Sequence, residues 1–220
     1  MDYTVTLSVH PRCTTSLRDF SKHAVPCITD HRGWQRFGYR LRVHAPNLSR
    51  KSRARPPSRS RPRDEAPHPL IAIQLTPQSV LDRLFPSFSN DGLSVCDVGS
   101  REIFINEDRW LRKYPDRSEM SLADYRCYVL NHEIGHALGF DHERCTGRGH
   151  PAPIMLQQTL GLHGCTPSPF PRQVPRARVR PRPRTRSRTR TRIFLSRVLR
   201  NKEIDGRSPA DPGKPRLSDE

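Results

Sequence analysis

Residues Ser121–Leu138 carry the clearest helical pattern of this chain, and a cluster of histidines stands at its end. Ser121, followed three residues later by Asp124, forms a capping box of the kind that begins a helix. Gly139 stands where a left-handed C-terminal cap belongs, which allows the chain to turn sharply. The pattern therefore predicts a long helix followed by a tight change of direction.

Three histidines around this helix end have the spacing of metal ligands. From His132 to His142 the sequence reads HEIGHALGFDH, an HExxHxxGxxH pattern. Residues four apart on a helix lie one above the other, so the imidazoles of His132 and His136 can reach the same ion. A turn at Gly139 brings His142 back as a third ligand. Three neutral imidazoles leave a fourth tetrahedral position for water, as in catalytic zinc sites. We therefore expect Zn²⁺ bound by these three histidines.

Glu133 follows the first ligand and is the candidate catalytic residue. Zinc lowers the pKa of a bound water toward about 7, and a glutamate at this place in the motif can take the released proton. Two other interpretations remain open: a chance cluster of helix histidines, and a zinc site that has lost its activity. A cysteine-protease site at Cys127 is disfavoured, because Cys127 precedes His132 on the same helix and no base with an orienting group accompanies it.

Most of the net positive charge of the chain lies in two segments. The chain has 39 Lys and Arg against 22 Asp and Glu, a formal net charge of +17. Residues 47–65 carry +5 and residues 172–220 carry +11, whereas residues 1–46 carry +4 and residues 66–171 carry −3. The basic balance therefore describes a linker and a tail, and not a binding face on the part of the chain with a globular composition.

Both basic segments have compositions that disfavour a packed core. Only 33% of all residues are hydrophobic, and residues 47–69 and 172–220 are rich in Arg and Pro without hydrophobic periodicity. We expect a disordered insertion at 47–69 and a disordered tail at 172–220. Clustered arginines release counterions from phosphates, so non-specific binding of nucleic acid or another polyanion by the tail is one hypothesis. A merely solvated tail and an out-of-frame translation of GC-rich sequence are the alternatives.

The remaining residues predict an α+β domain. Leu70–Leu75, Leu93–Cys96 and Glu102–Asn106 are short apolar runs that favour strands. Pro77–Phe85 favours a helix with a proline near its first turn. Past Gly139, many glycines and prolines predict an irregular segment.

The residues around the histidine motif resemble those of the metzincin metallopeptidases, and Glu143 after the third histidine is similar to the astacin signature. The resemblance implies a zincin-like fold. That clan also has a methionine in a tight turn beneath the metal, and Met155 within Pro153–Leu156 is the candidate. The alternative is that Met155 is an ordinary core methionine.

The chain is also similar to a family of predicted secreted bacterial zincin-like metallopeptidases whose function is unknown. The segments that carry this similarity are Asp30–Trp34, Tyr125–Glu133, Gly149–Met155, Gln157–Thr159 and Gly161–Pro167. It covers roughly Asp19–Val43 and Leu70–Pro171. It implies an α+β zincin-like domain with a small mixed sheet, an active-site helix and an irregular C-terminal subdomain. Residues 1–46 are then its N-terminal part and residues 70–171 its core.

Both resemblances imply zinc-dependent hydrolysis of peptide bonds by a metalloendopeptidase, with a peptide or protein as substrate. In the metzincin clan an edge strand above the metal pairs with an extended peptide, and Glu102–Asn106 is the candidate. The expected substrate-binding residues are therefore Ile103, Phe104, Ile105 and Asn106. An internal strand is the alternative, because the alternation of these residues does not decide their exposure. A polyanion-binding protein with a vestigial zinc site is the competing interpretation of the whole chain.

The chain departs from the second family in its basic segments and in one cysteine. The insertion at 47–69 is longer than in the family, and the tail at 172–220 lies beyond the family's usual end. Phe85 stands where a family cysteine would pair with the residue equivalent to Cys96. The partner of Cys96 is therefore left open.

Six cysteines in a short chain fit an oxidising compartment. Cys145 and Cys165 bracket the segment that contains Met155 and are the expected disulfide. Closing a loop of about 20 residues stabilises a fold by about 3 kcal/mol in the chain-entropy model. The family resemblance implies secretion, although no signal segment is visible between Met1 and Cys13. No apolar run approaches the roughly 18 residues that a membrane-spanning helix needs, and we expect a monomer.

Overall fold

The computed structural model describes residues 1–44, 68–86, 92–113 and 120–175. The predicted insertion at 47–69 and the predicted tail at 172–220 lie almost entirely outside these residues. None of the described helices is long and apolar enough to cross a membrane. In chain order the elements are β1 (Asp2–Val9), α1 (Leu17–Thr29), a 3₁₀ turn (Trp34–Phe37), β2 (Arg40–His44), β3 (Leu70–Thr76), α2 (Gln78–Leu84), β4 (Val95–Asp97), β5 (Glu102–Asn106), α3 (Glu107–Arg112) and α4 (Leu122–Ala137).

The strands form one mixed sheet in the order β2-β1-β3-β5-β4. Strands β2, β1, β3 and β5 run parallel to one another, and β4 is antiparallel to β5. The predicted small mixed sheet is thus confirmed, within a mixed α/β fold. Strand β1 lies between β2 and β3, so residues 1–44 supply two strands of the sheet that carries the rest of the domain. After α4, the described chain up to residue 175 contains no further helix or strand.

The expectation that Glu102–Asn106 is an edge strand is wrong. This strand is β5, and it pairs along its whole length with β3 on one side. On the other side its residues 102–104 pair with β4. Its backbone groups are therefore engaged within the sheet, and an added peptide strand has no place beside residues 102–104. In the described part of the chain, the sheet edge nearest to α4 is β4.

The core forms where α1 and α4 pack on each other and on the sheet. Alternate residues of β1 point into it, and Val5 is completely buried, as expected for a strand with one buried face. Along α1, the buried residues Phe20, Ala24 and Ile28 lie four apart and form one apolar stripe. This stripe orients α1 along α4, the helix that carries the histidines.

A disulfide between Cys27 of α1 and Cys127 of α4 joins these two helices across a sequence separation of 100 residues. In the chain-entropy model a closed loop of that length stabilises a fold by about 4.7 kcal/mol. All six cysteines lie in the described residues, and Cys13 and Cys96 are free thiols. Cys96, whose partner the sequence left open, is therefore unpaired, and it is buried.

Glu107 is a buried carboxylate that ties α3 to the loop before α1. Its Oε1 accepts hydrogen bonds from Thr14 N at 2.8 Å, Thr14 Oγ1 at 3.1 Å and Thr15 N at 2.8 Å. Burial raises the pKa of Glu107, but these hydrogen bonds outweigh burial, and the pKa is lowered overall. The ionised form therefore stabilises the fold.

We expect Glu107→Gln to lower the free energy of unfolding at pH 7 by about 2 kcal/mol, because hydrogen bonds to a charged group contribute about 1.5–3 kcal/mol. The folded-state pKa lies below the unfolded one. The contribution is therefore complete above the unfolded pKa and is lost as the pH falls through the folded pKa. Urea denaturation at neutral and acidic pH should show the difference from wild type shrinking with acid. A difference that is independent of pH would contradict a role for the charge.

Candidate metal centre

Helix α4 runs through the interior of the domain, and every residue from 128 to 138 is buried. The Oγ of Ser121 caps the helix by accepting a hydrogen bond from Asp124 N at 3.1 Å, as the capping box predicts. At the other end Gly139 has a φ of +92°, and Phe140 N donates to Gly135 O. The chain therefore reverses immediately after the helix, which brings His142 back toward it.

The side chains of His132, His136 and His142 converge, with one ligand nitrogen from each lying within 4.8 Å of the others. The Nε2 atoms of His136 and His142 are 3.1 Å apart. His132 and His136 are buried, and the His142 side chain is 20% exposed. The ligand set expected from the sequence is thus brought together at one point, and this group can bind a metal ion.

The hydrogen bonds of the imidazoles suit metal binding. His132 Nδ1 lies 2.8 Å from Ile154 O, and His136 Nδ1 lies 2.9 Å from Phe140 O. A carbonyl oxygen only accepts, so Nδ1 carries the proton in both rings and Nε2 presents a lone pair. Burial lowers the pKa of all three histidines, for His142 to about 3. Neutral rings with lone pairs facing one another fit a cation between them, and the backbone acceptors fix the ring orientations.

Glu133 lines the same cleft as the three histidines. It is buried, and burial raises the pKa of its carboxyl group to about 8. A carboxyl group perturbed by desolvation beside a cluster of potential ligands is typical of a functional site. Its proximity to the ligands follows from the helix, because Glu133 is the residue next to His132.

Met155 lies beneath the histidine helix and is completely buried. Leu156 N donates to Pro153 O at 3.0 Å, which closes a turn around Met155, and Glu143 N donates to Met155 O. A Cβ built on Gly135 would contact Met155 Sδ and would lie 2.9 Å from Trp34 Cζ2. Met155 is thus a core residue, and it packs against α4 at Gly135, between the first two candidate ligands.

We expect Gly135→Ala to destabilise the protein, although the same change in an exposed helix would stabilise it by about 1 kcal/mol. The added methyl group must displace Met155 or Trp34, and overpacking a core typically costs about 1–3 kcal/mol. Thermal denaturation should show a lower Tm. In the Met155→Ala background, whose own cost is measured separately, Gly135→Ala should cost less than it does in wild type, since one of the two clashing side chains is absent. Gly147→Ala, which would make ordinary contacts with His150, is the control, and an equal loss there would contradict the argument.

The irregular segment after α4 is held in place by a disulfide and by tyrosines of the helix. Cys145 and Cys165 form the expected bridge. Tyr128 Oη donates to Leu156 O at 3.1 Å and accepts from Gln158 N at 2.8 Å. The backbone around Met155 is therefore fixed from both sides, which places the carbonyl of residue 154 against the first ligand.

The predicted substrate-binding residues do not line the histidine cleft. Ile103 and Ile105 are buried in the core, and Phe104 packs against Phe85 with ring centroids 5.3 Å apart. Asn106 is completely buried and donates to Gly92 O at 2.9 Å. The cleft is lined instead by residues 93 and 94, which lead into the edge strand β4.

Trp34 supports the histidine cluster from the N-terminal part of the chain, a role that the histidine motif did not predict. Its Nε1 donates to Asn131 O at 3.0 Å, next to the first ligand. Its ring stacks on Phe140 with centroids 5.4 Å apart and an interplanar angle of 8°. The similarity of Asp30–Trp34 to the second family drew attention to this tryptophan, but it did not indicate that the side chain contacts α4.

A family model described as "Protein of unknown function (DUF3152)" matches residues 49–169. No curated protein and no solved structure matches the chain. The match covers more than half of the 220 residues and includes α4, the three histidines and Met155. The first two strands and Trp34 precede it. The chain belongs to the DUF3152 family of proteins of unknown function.

Proposed function

We propose that the protein is a zinc-dependent peptidase with a zincin-like fold. The observation that carries the proposal is the convergence of three histidine side chains, two of them buried, with Glu133 in a single cleft. His132, His136 and His142 would hold the ion through their lone-pair nitrogens. Imidazole suits several transition metals, and three histidines with an open position are typical of catalytic zinc.

When bound, Zn²⁺ supplies Lewis-acid chemistry, polarising a carbonyl group and making water more acidic. The positive charge of a bound ion would favour the ionised form of Glu133. This carboxylate would take the proton of the attacking water as the water oxygen bonds to the carbonyl carbon. The protonated Glu133 then returns that proton to the amide nitrogen as the carbon–nitrogen bond breaks. The products are a carboxylic acid and an amine, and Glu133 ends as it began. Burial of Glu133 keeps competing water away from its carboxyl group.

The substrate would run along β4. Within the described residues β4 has a neighbour on only one side, and the two residues before it line the histidine cleft. An extended peptide added to this edge would form main-chain hydrogen bonds and lie across the cleft. This assigns to β4 the role that the sequence suggested for β5.

The test is metal analysis and a peptidase assay on the full-length chain, since residues 1–44 contribute to the sheet and to the support of the centre. We expect about one zinc ion per chain, and hydrolysis of unstructured peptides that a chelator abolishes and added zinc restores. A protein that takes up no zinc, or that binds zinc without cutting any peptide, would refute the proposal. The two disulfides make a secretory or periplasmic expression route appropriate.

Polyanion binding by the tail is a second candidate function, favoured by the charge of +11 in residues 172–220 against −3 in residues 66–171. The tail should be removed after Pro175, because Phe170, Pro171 and Pro175 are buried. We expect this truncation to abolish retention on heparin or RNA at moderate salt and to leave zinc content unchanged. For the full chain, each neutralised phosphate of a single strand should contribute about −0.7 to the slope of log affinity against log salt. Undiminished retention after truncation would exclude the tail as the binding segment.

A further inference from the structure

The cleft beside the three histidines extends along α4 toward the N-terminus of the helix. One wall is the helix itself, with Tyr128 and Val129 one turn before His132. The opposite wall is the segment after Met155, with Thr159 and Leu160. A peptide lying on β4 across the histidines would direct a side chain next to the cut bond into this space.

Two tyrosines close the cleft by bonding one wall to the other. Tyr125 Oη lies 3.2 Å from Thr159 Oγ1, and both residues are buried. Tyr128 Oη is bonded to the backbone of residues 156 and 158. Because each tyrosine belongs to the helix and each partner belongs to the opposite wall, the width of the cleft is fixed in the folded protein.

The space between these walls is small. The cavity volume of the whole cleft, including the space beside the three histidines, is about 40 Å³. One enclosed water needs about 10–15 Å³ on this scale, so the cleft has room for about three water-sized groups. Part of this space lies beside the histidines, so the remainder accepts at most a side chain the size of alanine or valine. An aromatic ring, or the long chain of lysine or arginine, does not fit without moving a wall.

The lining of the cleft away from the metal ligands is uncharged. Val129, Leu160 and Leu93 present apolar surface, and the hydroxyl groups of Tyr125 and Thr159 are bonded to each other. A charged side chain placed here would lose its hydration without gaining an ion-pair partner, which strongly disfavours its binding. An aliphatic side chain gains about fourfold in affinity for each CH₂ group buried.

We infer that this cleft selects peptides with a short aliphatic side chain, the size of alanine or valine, next to the bond that is cut, and that Thr159 sets its depth. The inference rests on the proposed peptidase function. Thr159 has this role because its side chain meets Tyr125 at the closed end. Replacing it with alanine removes the hydroxyl and methyl groups and lengthens the cleft without changing the metal ligands.

The experiment measures selectivity by cleavage and by binding in the full-length, zinc-loaded protein. A randomised peptide library, with cut sites read by mass spectrometry, should show alanine and valine enriched at one position beside the cut. Hydroxamates carrying valine or phenylalanine side chains provide a binding test that requires no catalysis. We expect the valine compound to bind at least about tenfold more tightly, since one or two methylene groups change selectivity by about 10–200-fold.

Thr159→Ala should shift the cleavage preference toward leucine and methionine, and it should reduce the difference in affinity between the two hydroxamates. Thr146→Ala, at an exposed position, should change neither the preference nor the affinities. Preference for aromatic or basic residues in wild type, or an unchanged preference in Thr159→Ala, would overturn the inference. If the hydroxamates show the expected selectivity but no peptide is cut, the size selection stands and the proposed peptidase function fails. If the hydroxamates bind without selectivity while peptides are cut, the peptidase function stands and this inference fails.

Discussion

Glu133→Gln is expected to lower kcat for peptide hydrolysis by about 10²–10⁴-fold, the usual contribution of general acid–base catalysis. Glutamine has nearly the shape of glutamate and fits the same buried site, but it cannot accept and return a proton. The three histidines keep their backbone acceptors in the variant. Zinc content and the circular dichroism spectrum should therefore match wild type, and KM should change much less than kcat.

Glu102→Gln is the matched control, because this substitution makes the same chemical change at an exposed position of β5. It should retain wild-type activity. Wild-type turnover in Glu133→Gln with zinc bound would show that another group moves the proton, and the mechanism would be wrong. Loss of zinc in Glu133→Gln would instead mean that Glu133 acts as a ligand or as a support for one.

The histidine cluster was predictable because its geometry is local. His132, Glu133 and His136 lie on one helix, so their relative positions follow from the helical repeat. Gly139 and His142 follow within two turns' length of chain, and the positive φ of the glycine was implied by its place after the helix. The bridge between Cys145 and Cys165 was similarly accessible, since it closes a short segment.

The sheet position of β5 was not predictable from its residues. Ile103 and Ile105 alternate with Phe104 in a pattern that fits an edge strand as well as an internal one. The structure places Phe104 in a small separate cluster with Leu81, Phe85 and Val95. Partners on both sides are contributed by β3 and β4, and nothing in β5 itself encodes that pairing. Pairing between distant segments is the part of a fold that local pattern describes least.

The contacts by which residues 1–44 support the histidine cluster could not be predicted, for the same reason. Cys27 meets Cys127 across 100 residues, and with six cysteines many pairings are possible from sequence alone. Trp34 reaches Asn131 from a similar distance along the chain. The proposed assays therefore need the full-length chain. A fragment of residues 66–171 would lack β1, β2, Cys27 and Trp34.

Trp34→Ala is expected to lower the free energy of unfolding by about 3–5 kcal/mol, the usual cost of removing a large buried aromatic side chain. Trp34 is 0% exposed, and its loss removes the stacking on Phe140 and the hydrogen bond that its Nε1 donates to Asn131 O. Phe140 O is the acceptor for His136 Nδ1, and Asn131 precedes His132 in α4. The cavity therefore opens directly behind two of the three ligands, and zinc affinity should fall in the fraction that remains folded.

Trp110→Ala separates the effect on the metal from the effect on stability. Trp110 is also buried, and it packs on Phe20 and beneath Arg126 rather than against the histidines. Its removal should destabilise the fold by a similar amount while leaving the zinc affinity of the folded protein near that of wild type. Competition with a zinc-binding dye, below the melting temperature of both variants, measures the difference. Equal zinc affinities in the two variants would mean that Trp34 stabilises the domain without positioning the histidines. Removing Trp34 or Trp110 would then have the same effect on zinc binding.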